Sequence, residues 1–273
     1  MKNSIKELES IAKKIRCHIV KMIGPKKAGH LGGSCSIADV VTVLYFNKMK
    51  HDPKNPKMPD RDRFLLSKGH SALVQYAALA ESGYFPVEEL LTLKKLGSRL
   101  QGHPDMLKLP GIEANTGSLG QGLSIAAGMA AAGKIDKLAY KVYCVVGDGE
   151  IAEGQIWEAA MSASFYKLDN LIAILDKNCL QATGCISERF NTNPLNEKWE
   201  SFGWHVIECD GHNMREIIES LDKADSVTGK PVIVIANTVK GCGISFAENV
   251  ASFHHGAMTQ EQYELALQEL GGK

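Results

Sequence analysis

The chain has 273 residues, of which 44% are apolar and 23% charged, a composition typical of one large globular domain or two small ones. Lysine plus arginine and aspartate plus glutamate both number 31, so no net charge attracts nucleic acid or an anionic membrane. We therefore set both classes of partner aside.

Seven cysteines are scattered along the chain, and no two of them have the CxxC spacing. This pattern argues against a disulfide framework and against a zinc site. No apolar run approaches the length of a membrane span. Free thiols suit a reduced compartment, and we expect a cytoplasmic protein.

The first half of the chain is predicted to be mostly helical. In residues 1–24, apolar side chains recur at helical spacing among charged ones, which predicts an amphipathic helix and argues against a signal peptide. A short apolar run at 64–66 predicts a strand, and the Pro-rich segment 51–62 predicts a surface loop. Four more stretches show helical spacing: 36–49, 71–82, 86–96 and 121–134.

Strands and helices alternate in the second half of the chain. Continuous apolar runs predict four buried strands, at 141–147, 171–176, 204–209 and 232–239. Helical patterns lie between them, at 153–167, 194–202 and 214–224. This order predicts an α/β fold in which a parallel sheet carries helices on both faces. Ligands of such sheets bind beyond the carboxyl ends of the strands.

The strand predicted at 141–147 leads into Asp148 and Gly149, and the next strand along the chain ends just before Asn178. Residues 150–177 match the length of one crossover helix with its loops, so both strand ends should share one edge of the sheet. A carboxylate, an amide oxygen and a backbone carbonyl there suit Mg²⁺ or Ca²⁺, whose other positions phosphate oxygens can fill. Gly-Asp-Gly alone could be a simple turn, but the correctly spaced Asn178 favours a metal and diphosphate site.

A second glycine-rich stretch, residues 115–122, precedes an Ala-rich helical pattern. Backbone amides at such a helix N-terminus can bind an anion, and close helix packing is the alternative interpretation. Residues 128–135 match the P-loop pattern until Ile135 replaces its final Ser or Thr. Because the alanine run also indicates a helix interior, we reject a P-loop.

Four of the nine histidines adjoin a glycine in predicted loops: His30, His70, His103 and His255. Each alone could be structural or lie on the surface. Four of them near a metal and diphosphate site indicate proton transfer and polar substrate contacts near neutral pH. His254 could take the role of His255.

Gly-Asp-Gly followed by Asn after one crossover is the thiamine diphosphate motif, and the sequence resembles the transketolase family over nearly its whole length. The segments that carry this resemblance are KAGHLGGS from Lys27, DRFLLSKGHSALVQYAAL from Asp62, GHPD from Gly102, NTGSLGQGL from Asn115, VVGDGEIAEGQIWEAA from Val145 and FHHGAM from Phe253. Together they are far more specific than Gly-Asp-Gly alone. The resemblance implies the thiamine diphosphate-binding fold, or PP module, as a single domain over 1–273.

The resemblance also implies a ligand set for the cofactor and its metal. Asp148, Asn178 and the carbonyl of Leu180 would hold Mg²⁺ or Ca²⁺. The residues implied to contact thiamine diphosphate are His70, Gly117, Leu119, Asp148, Gly149, Asn178, Lys240 and His255.

Catalytic roles follow from the same resemblance. His30 and His103 would face the sugar, and together with His70 and His255 they would move protons or stabilise oxyanions. Glu153 would lie at a subunit contact that links two active sites, with Glu158 beside it.

The resemblance ends with the diphosphate-binding domain, and no pyrimidine-binding or C-terminal domain follows in this sequence. In the family, a neighbouring subunit's second domain supplies the glutamate that activates the aminopyrimidine and most sugar-phosphate contacts. The chain therefore resembles the N-terminal subunit of a split transketolase. We expect it to need a C-terminal partner subunit, in an α2β2 assembly, and to transfer a two-carbon ketol unit between sugars or sugar phosphates.

Some features depart from the family pattern. Leu31 and Ser118 stand where proline is common, and residues 179–184 replace a stretch that usually contains isoleucine. The alternatives are another split thiamine diphosphate enzyme, either the α-subunit of a 2-oxo acid dehydrogenase or an enzyme of a modified sugar or sulfonate, and a non-catalytic cofactor-binding module. The glycine-flanked histidines favour sugar chemistry.

Overall fold

The computed structural model describes residues 3–272. Three predicted positions lie outside the described residues. They are Met1 and Lys2, at the start of the predicted N-terminal helix, and Lys273, at the end of the predicted single domain.

Helix α1, Ile5–Ile23, matches the predicted N-terminal helix. It begins with a capping box, in which Ser4 Oγ accepts from the amide of Glu7 and the Glu7 carboxylate accepts from the amide of Ser4. Its apolar side is buried against the rest of the chain. The other α-helices of residues 3–272 are α2 (Leu31–Ser36), α3 (Ala38–Val43), α4 (Ala72–Glu81), α5 (Gln121–Ile135), α6 (Gly154–Phe165), α7 (Ile186–Arg189), α8 (Leu195–Ser201), α9 (Met214–Ser226) and α10 (Gln260–Glu269).

Residues 38–48 are helical, as predicted for 36–49, but one uniform helix over this range is wrong because the stretch is divided. Helices α2 and α3 are separated by Ile37, and a π-helix, Leu44–Lys48, follows α3. Both α2 and α3 are buried along their whole length. Packing on all sides, which an amphipathic pattern does not report, sets the geometry here.

The α-helix predicted at 86–96 is also wrong. A 3₁₀ helix, Val87–Thr92, forms instead, and the chain then enters a loop. Leu91 and Leu96 are exposed, so the apolar spacing of this stretch does not correspond to one buried face.

Parallel strands form the central sheet, in the order β1-β2-β3-β5-β4. The strands are β1 (Arg63–Leu66), β2 (Val142–Gly147), β3 (Leu171–Lys177), β4 (His205–Asp210) and β5 (Val232–Asn237). In the register of the sheet, Gly147 lies opposite Asp176, and Asp176 lies opposite Ala236. The neighbouring strands β2, β3 and β5 therefore finish at one level, so that their carboxyl ends share one edge of the sheet, as predicted.

Strand β4 corrects the prediction that all four strands of the second half are buried. It lies at the edge of the sheet, and His205 and Asp210 at its two ends are exposed. Its apolar residues predicted the strand but not its place, because strand order is a property of the whole sheet.

Two apolar cores cover the two faces of the sheet. Alternate residues of β2, such as Tyr143 and Val145, join the core that contains α1, α3, α4 and α9. Their neighbours Cys144 and Val146 join the core that contains α5, α6 and α8. The predicted α/β fold, with a parallel sheet and helices on both faces, is confirmed.

Among residues 3–272, no helix combines the length and the apolar character that crossing a bilayer would require.

Candidate functional site

A cavity of about 310 Å³ opens at the carboxyl edge of the sheet. It is lined by seven residues that the sequence predicts for the cofactor or the metal, namely His70, Leu119, Asp148, Gly149, Asn178, Leu180 and Lys240. Lys68, Glu150 and His254 line it as well, and no sequence pattern predicts a role for the first two. Residues that are scattered over more than 180 positions of the chain thus converge on one cavity.

Asp148 is held rigidly at the end of β2. Its Oδ1 accepts a hydrogen bond from the amide of Gly149 at 2.9 Å, and its Oδ2 accepts one from the amide of Cys179 at 2.5 Å. Burial and then the neighbouring Asp176 carboxylate raise the pKa of Asp148 to about 7. A dication in the cavity would favour the ionised form of this carboxyl group.

Asn178 lies beside Asp148 and has a defined orientation. Its Nδ2 donates to Asp176 Oδ2 at 3.0 Å, and its Oδ1 accepts from the amide of Leu180 at 3.2 Å. An amide oxygen has two lone pairs, so Oδ1 can accept this bond and still bind a cation.

The residues of the cavity fit a hard cation and a diphosphate. Asp148, Asn178 and the carbonyl of Leu180 offer oxygen ligands only, the set that Mg²⁺ and Ca²⁺ prefer. Lys240 Nζ donates to the Leu180 carbonyl at 2.8 Å, so this ammonium lies beside the predicted ligand set. Burial, followed by the positive charge of Lys68, lowers the pKa of Lys240 to about 8. An anion between these two lysines would therefore be stabilised.

Glycine gives the ligand access to the backbone at this edge. A Cβ atom at Gly149 would lie 3.2 Å from Gln181 Cβ, which is closer than most side-chain contacts. A Cβ atom at Gly33 would lie 2.9 Å from Ser71 Oγ. Both positions line the cavity, so side chains there would fill part of it.

Lys68 and Asp176 form a buried ion pair below the cavity, with Nζ and Oδ2 2.5 Å apart. Ser36 Oγ and Thr238 Oγ1 also donate to Asp176, at 2.6 and 2.5 Å. Despite its burial, these donors and above all the charge of Lys68 hold the pKa of Asp176 below its usual value. The sequence analysis assigned no role to Asp176. Its place at the end of a predicted strand, two residues before Asn178, was the signal that could have indicated one.

Glu150 joins the two glycine-rich stretches. Its carboxylate accepts from the amides of Gly147 and Gly120, both at 2.9 Å, and from Ser67 Oγ at 2.5 Å. Burial raises the pKa of Glu150. Gly120 precedes α5 with a φ of 84°, and its amide is thus directed to Glu150.

Close packing describes part of residues 115–122, and anion binding by this stretch stays a prediction. Close packing holds at Gly122, where a Cβ atom would lie 2.5 Å from Ser67 Cβ. Leu119, however, lines the cavity. Gly117 has a φ of 153° and lies against His103, whose Cδ2 would be 2.9 Å from a Cβ atom at Gly117.

The four glycine-flanked histidines form one cluster. A two-residue ladder pairs Ala28–Gly29 with Gly256–Ala257 and so brings the chain next to His30 close to the chain next to His255. The ring centroid of His30 lies 4.5 Å from that of His255, 5.1 Å from that of His70 and 6.3 Å from that of His103.

His254 belongs to the same cluster. Its ring centroid lies 4.9 Å from that of His70, and its Nδ1 is 3.2 Å from Lys240 Nζ. His254 lines the cavity beside Lys240. His255 does not line it and lies beside His30 instead.

Burial keeps most of these imidazoles neutral. Together with neighbouring histidines it lowers the pKa of His30 to about 3. Burial and the charge of Lys68 lower the pKa of His70 to about 2, and burial and Lys240 lower that of His254 to about 4. Burial and then Lys94 also lower the pKa of His103. Near neutral pH each of these rings therefore offers one N–H donor and one acceptor.

Glu153 and Glu158 lie apart from the cavity. Both side chains are exposed; Glu153 precedes α6, and Glu158 lies within it. The cavity at the carboxyl edge is not lined by either residue.

Asp39, His212 and Cys242 form a second polar group, with one polar atom of each lying within 4.8 Å of the others. Arg16 donates to both oxygens of Asp39, at 2.9 and 2.6 Å. His212 Nδ1 lies 2.7 Å from Asp39, and His212 Nε2 accepts from the amide of Val239. Because both ring nitrogens are used, we interpret this group as a support for the segment before Lys240 and not as a metal site.

Comparisons with known proteins agree with these features. Residues 8–273 match the family model of transketolase, thiamine diphosphate binding domain. The chain is 47% identical over 264 residues to the 6-deoxy-6-sulfo-D-fructose transketolase subunit of Clostridium sp. (strain MSTE9), an alignment that covers 97% of this chain and 96% of that protein. It is 45% identical over 266 residues to an apulose-4-phosphate transketolase subunit of Phocaeicola vulgatus, with 97% and 94% covered.

The fold is also that of a solved enzyme. The crystal structure of transketolase from Campylobacter jejuni superposes with a TM-score of 0.93 at 33% identity, over 99% of this chain and 44% of that one. The chain spans less than half the length of the solved transketolases that it matches.

Proposed function

This chain belongs to the transketolase family, and on that premise we propose that it is the cofactor-anchoring subunit of a two-chain enzyme that transfers ketol units between sugars. The predictions of the family, of the thiamine diphosphate-binding fold and of a transketolase-type transferase are confirmed by the matches. Membership also argues against the α-subunit of a 2-oxo acid dehydrogenase.

The observation that carries the proposal is the convergence of Asp148, Asn178 and the Leu180 carbonyl with two lysines on one cavity. We propose that the three oxygen ligands bind Mg²⁺, with Ca²⁺ as an alternative, and that Lys68 and Lys240 offset the charge of the diphosphate. Thiamine diphosphate, when bound, supplies the carbanion chemistry that breaks and forms bonds beside a carbonyl group. The chain itself supplies the position and the electrostatics.

The histidine cluster would handle the protons of the sugar. His70 lines the cavity, and His30, His103 and His255 cluster beside it; the lowered pKa values of His30, His70 and His103 keep these three neutral. A neutral imidazole can donate at one ring nitrogen and accept at the other, so these residues could hold a hydroxyl and stabilise developing negative charge.

Exposed apolar residues support an assembly with other subunits. Met161, Phe165 and Tyr166 on and after α6 are 55%, 79% and 63% exposed, and Ile135 at the end of α5 is 79% exposed. We propose that this face meets another subunit, with Glu153 contributing to the contact. The relatives that match along nearly their whole length are themselves named as subunits. A C-terminal transketolase subunit in an α2β2 assembly is the partner that this pattern favours.

The names of the relatives indicate the substrate class. One is named for 6-deoxy-6-sulfo-D-fructose and another for apulose 4-phosphate, and both of these sugars carry an anionic group. We propose that this enzyme also acts on a ketose phosphate or on a similarly charged ketose. The cysteines are all free thiols, which suits the proposed cytoplasmic location.

Reconstitution tests the proposed function. The chain is mixed with the product of the neighbouring gene, thiamine diphosphate and Mg²⁺, and ketol transfer is measured with a panel of ketose phosphates and aldose acceptors. We expect a complex and transfer, and we expect Asp148→Ala to abolish cofactor binding in calorimetry. Asp136→Ala, at an exposed position, is the matched control.

Two results would contradict the proposal. Undiminished cofactor binding by Asp148→Ala, with the partner present, would show that the anchor lies elsewhere. The absence of both a complex and transfer from any ketose would favour a non-catalytic cofactor-binding module.

A further inference from the structure

We propose that Lys94 binds the anionic end of the sugar substrate, a phosphate or a sulfonate group, on the histidine side of the cavity. This inference rests on the proposed function and names one residue that selects charged sugars. It adds a contact from this chain to those that the resemblance places on a partner domain.

The side chain of Lys94 lies against the segment that leads into His103. It follows the 3₁₀ helix Val87–Thr92 with a φ of 58°, and its amide donates to the carbonyl of Leu100 at 2.9 Å. The side chain then lies over Gly102: Lys94 Cε and Nζ are 3.2 and 4.0 Å from the position of a Cβ atom there. Because Gly102 directly precedes His103, the ammonium group is close to the sugar-facing histidines.

The positive charge of Lys94 lowers the pKa of two of these histidines. After burial, Lys94 is the main cause of the lowered pKa of His103, and it contributes to the lowered pKa of His30. Since an ammonium perturbs both rings, it would also act on an anion that lies between them.

Lys94 is also free to bind an anion. Arg99 in the same loop is paired with Glu89 through two hydrogen bonds, at 2.8 and 2.7 Å, and Lys108 lies 3.9 Å from Asp105. Among the described residues, no carboxylate lies within 4.0 Å of Lys94 Nζ.

No other cation described in residues 3–272 is as available at this side of the cavity. Lys68 is paired with Asp176, and Lys240 donates to the Leu180 carbonyl. The neutral histidines offer hydrogen bonds without a full charge. Lys94 also lines an open basic depression of about 640 Å³, together with Lys95, Arg99 and Lys108, which leaves room for an anionic group beside this side chain.

The neighbouring Lys95 provides a matched control. It is exposed like Lys94, has the same side chain and lines the same depression. It is not among the groups that perturb His30 or His103. A loss that arises only from a weaker basic field would affect both variants, whereas a specific contact affects Lys94 alone.

The experiment uses the reconstituted two-chain complex with Lys94→Met, Lys94→Arg and Lys95→Met. KM is measured for xylulose 5-phosphate, for a 6-sulfonated ketose and for the corresponding uncharged ketoses. Loss of a charge-assisted contact should raise the ratio of KM for the charged to the uncharged ketose about tenfold in Lys94→Met. Lys94→Arg should restore most of this ratio, and Lys95→Met should leave it unchanged. The charged ketose with the larger response identifies phosphate or sulfonate as the group that is bound.

An equal rise of KM for charged and uncharged ketoses, or no rise for either, would overturn the role of Lys94. An equal effect of Lys95→Met would show a general field and would also overturn it. If the complex without any substitution transfers a ketol unit from no ketose at all, that result contradicts the proposed function and not the role of Lys94.

Discussion

The ammonium group of Lys68 lies 2.5 Å from Oδ2 of Asp176, and both side chains are almost completely buried below the cofactor cavity. The same Oδ2 accepts from Asn178 Nδ2 at 3.0 Å. The ion pair therefore fixes which end of the Asn178 amide faces Asp176 and leaves its oxygen for the predicted metal. Neither member needs to contact the metal to influence it.

Lys68→Met should destabilise the chain strongly, because it leaves the charge of Asp176 buried without its partner. Breaking one side of a buried pair costs about 3–5 kcal/mol of unfolding free energy. Urea denaturation of the chain measures this cost. In the double variant Lys68→Met with Asp176→Asn, much of the loss should be recovered, since neither position of the pair then carries an unpaired buried charge. If the double variant is as unstable as the single one, the ion pair does not account for the effect.

Glu150→Ala should loosen both glycine-rich stretches at once. It removes the acceptor of the Gly120 and Gly147 amides, and an unsatisfied buried donor costs about 1–3 kcal/mol. Glu150→Gln keeps one acceptor oxygen and should therefore lose less stability than Glu150→Ala. Urea denaturation and calorimetric titration with thiamine diphosphate would follow stability and cofactor affinity. Glu200→Ala, at an exposed position, serves as the control, and an equal loss in that variant would refute the assignment.

The sequence was enough to predict that Asp148 and Asn178 lie at the same edge of the sheet. Both residues follow strands that are neighbours in the chain and in the sheet. The sequence could not predict the partners of Asp176, because Lys68 is 108 residues away and Ser36 is 140 residues away. Such contacts depend on the register of the sheet and on how α2 packs, which no local pattern reports.

Because a local pattern does not report how a segment packs, it also led to the wrong prediction of an α-helix at 86–96. Leu91 and Leu96 have the spacing of an apolar face but are exposed, and the loop that replaces the helix carries Lys94. By contrast, the four glycine-flanked histidines were found because glycine and histidine together mark loops near a site. Their convergence depends on a two-residue ladder that is too short to predict.

His103→Ala should slow turnover and leave cofactor binding nearly unchanged. His103 lies against Gly117 and beside His30 but does not line the metal end of the cavity. Removing a positioned proton donor or acceptor lowers kcat about 10²-fold or more. Steady-state kinetics of the reconstituted complex, with calorimetry of thiamine diphosphate binding, separates the two effects. His205→Ala, at the exposed edge of the sheet, should change neither, and a large loss of affinity in His103→Ala would place His103 in the anchor instead.

The stability of the chain should fall as the pH drops below about 6.5. Folded His30 takes up a proton only near pH 3, since burial and the surrounding His255, His254, Lys94 and His103 disfavour its charged form. The unfolded chain takes up that proton near pH 6.5, so between these values it binds more protons than the folded chain, and acid favours unfolding. His30→Gln should therefore show a shallower loss than the unchanged chain. Urea denaturation between pH 7 and about pH 4.5 measures both slopes, and equal slopes would contradict the prediction.

Removing the divalent metal should remove the stabilisation that thiamine diphosphate gives to the chain. The oxygen ligands Asp148, Asn178 and Leu180 carry one formal negative charge between them, so a metal is needed to hold a diphosphate against the Asp148 carboxylate. A ligand at 100 times its Kd stabilises the folded state by about 2.7 kcal/mol, which a thermal melt of the complex detects as a higher Tm. We expect this rise with Mg²⁺ or Ca²⁺, no rise after EDTA treatment, and no rise in Asp148→Ala with either metal. A full rise in the presence of EDTA would show that the lysines alone bind the diphosphate, and the metal would then have no place in the anchor.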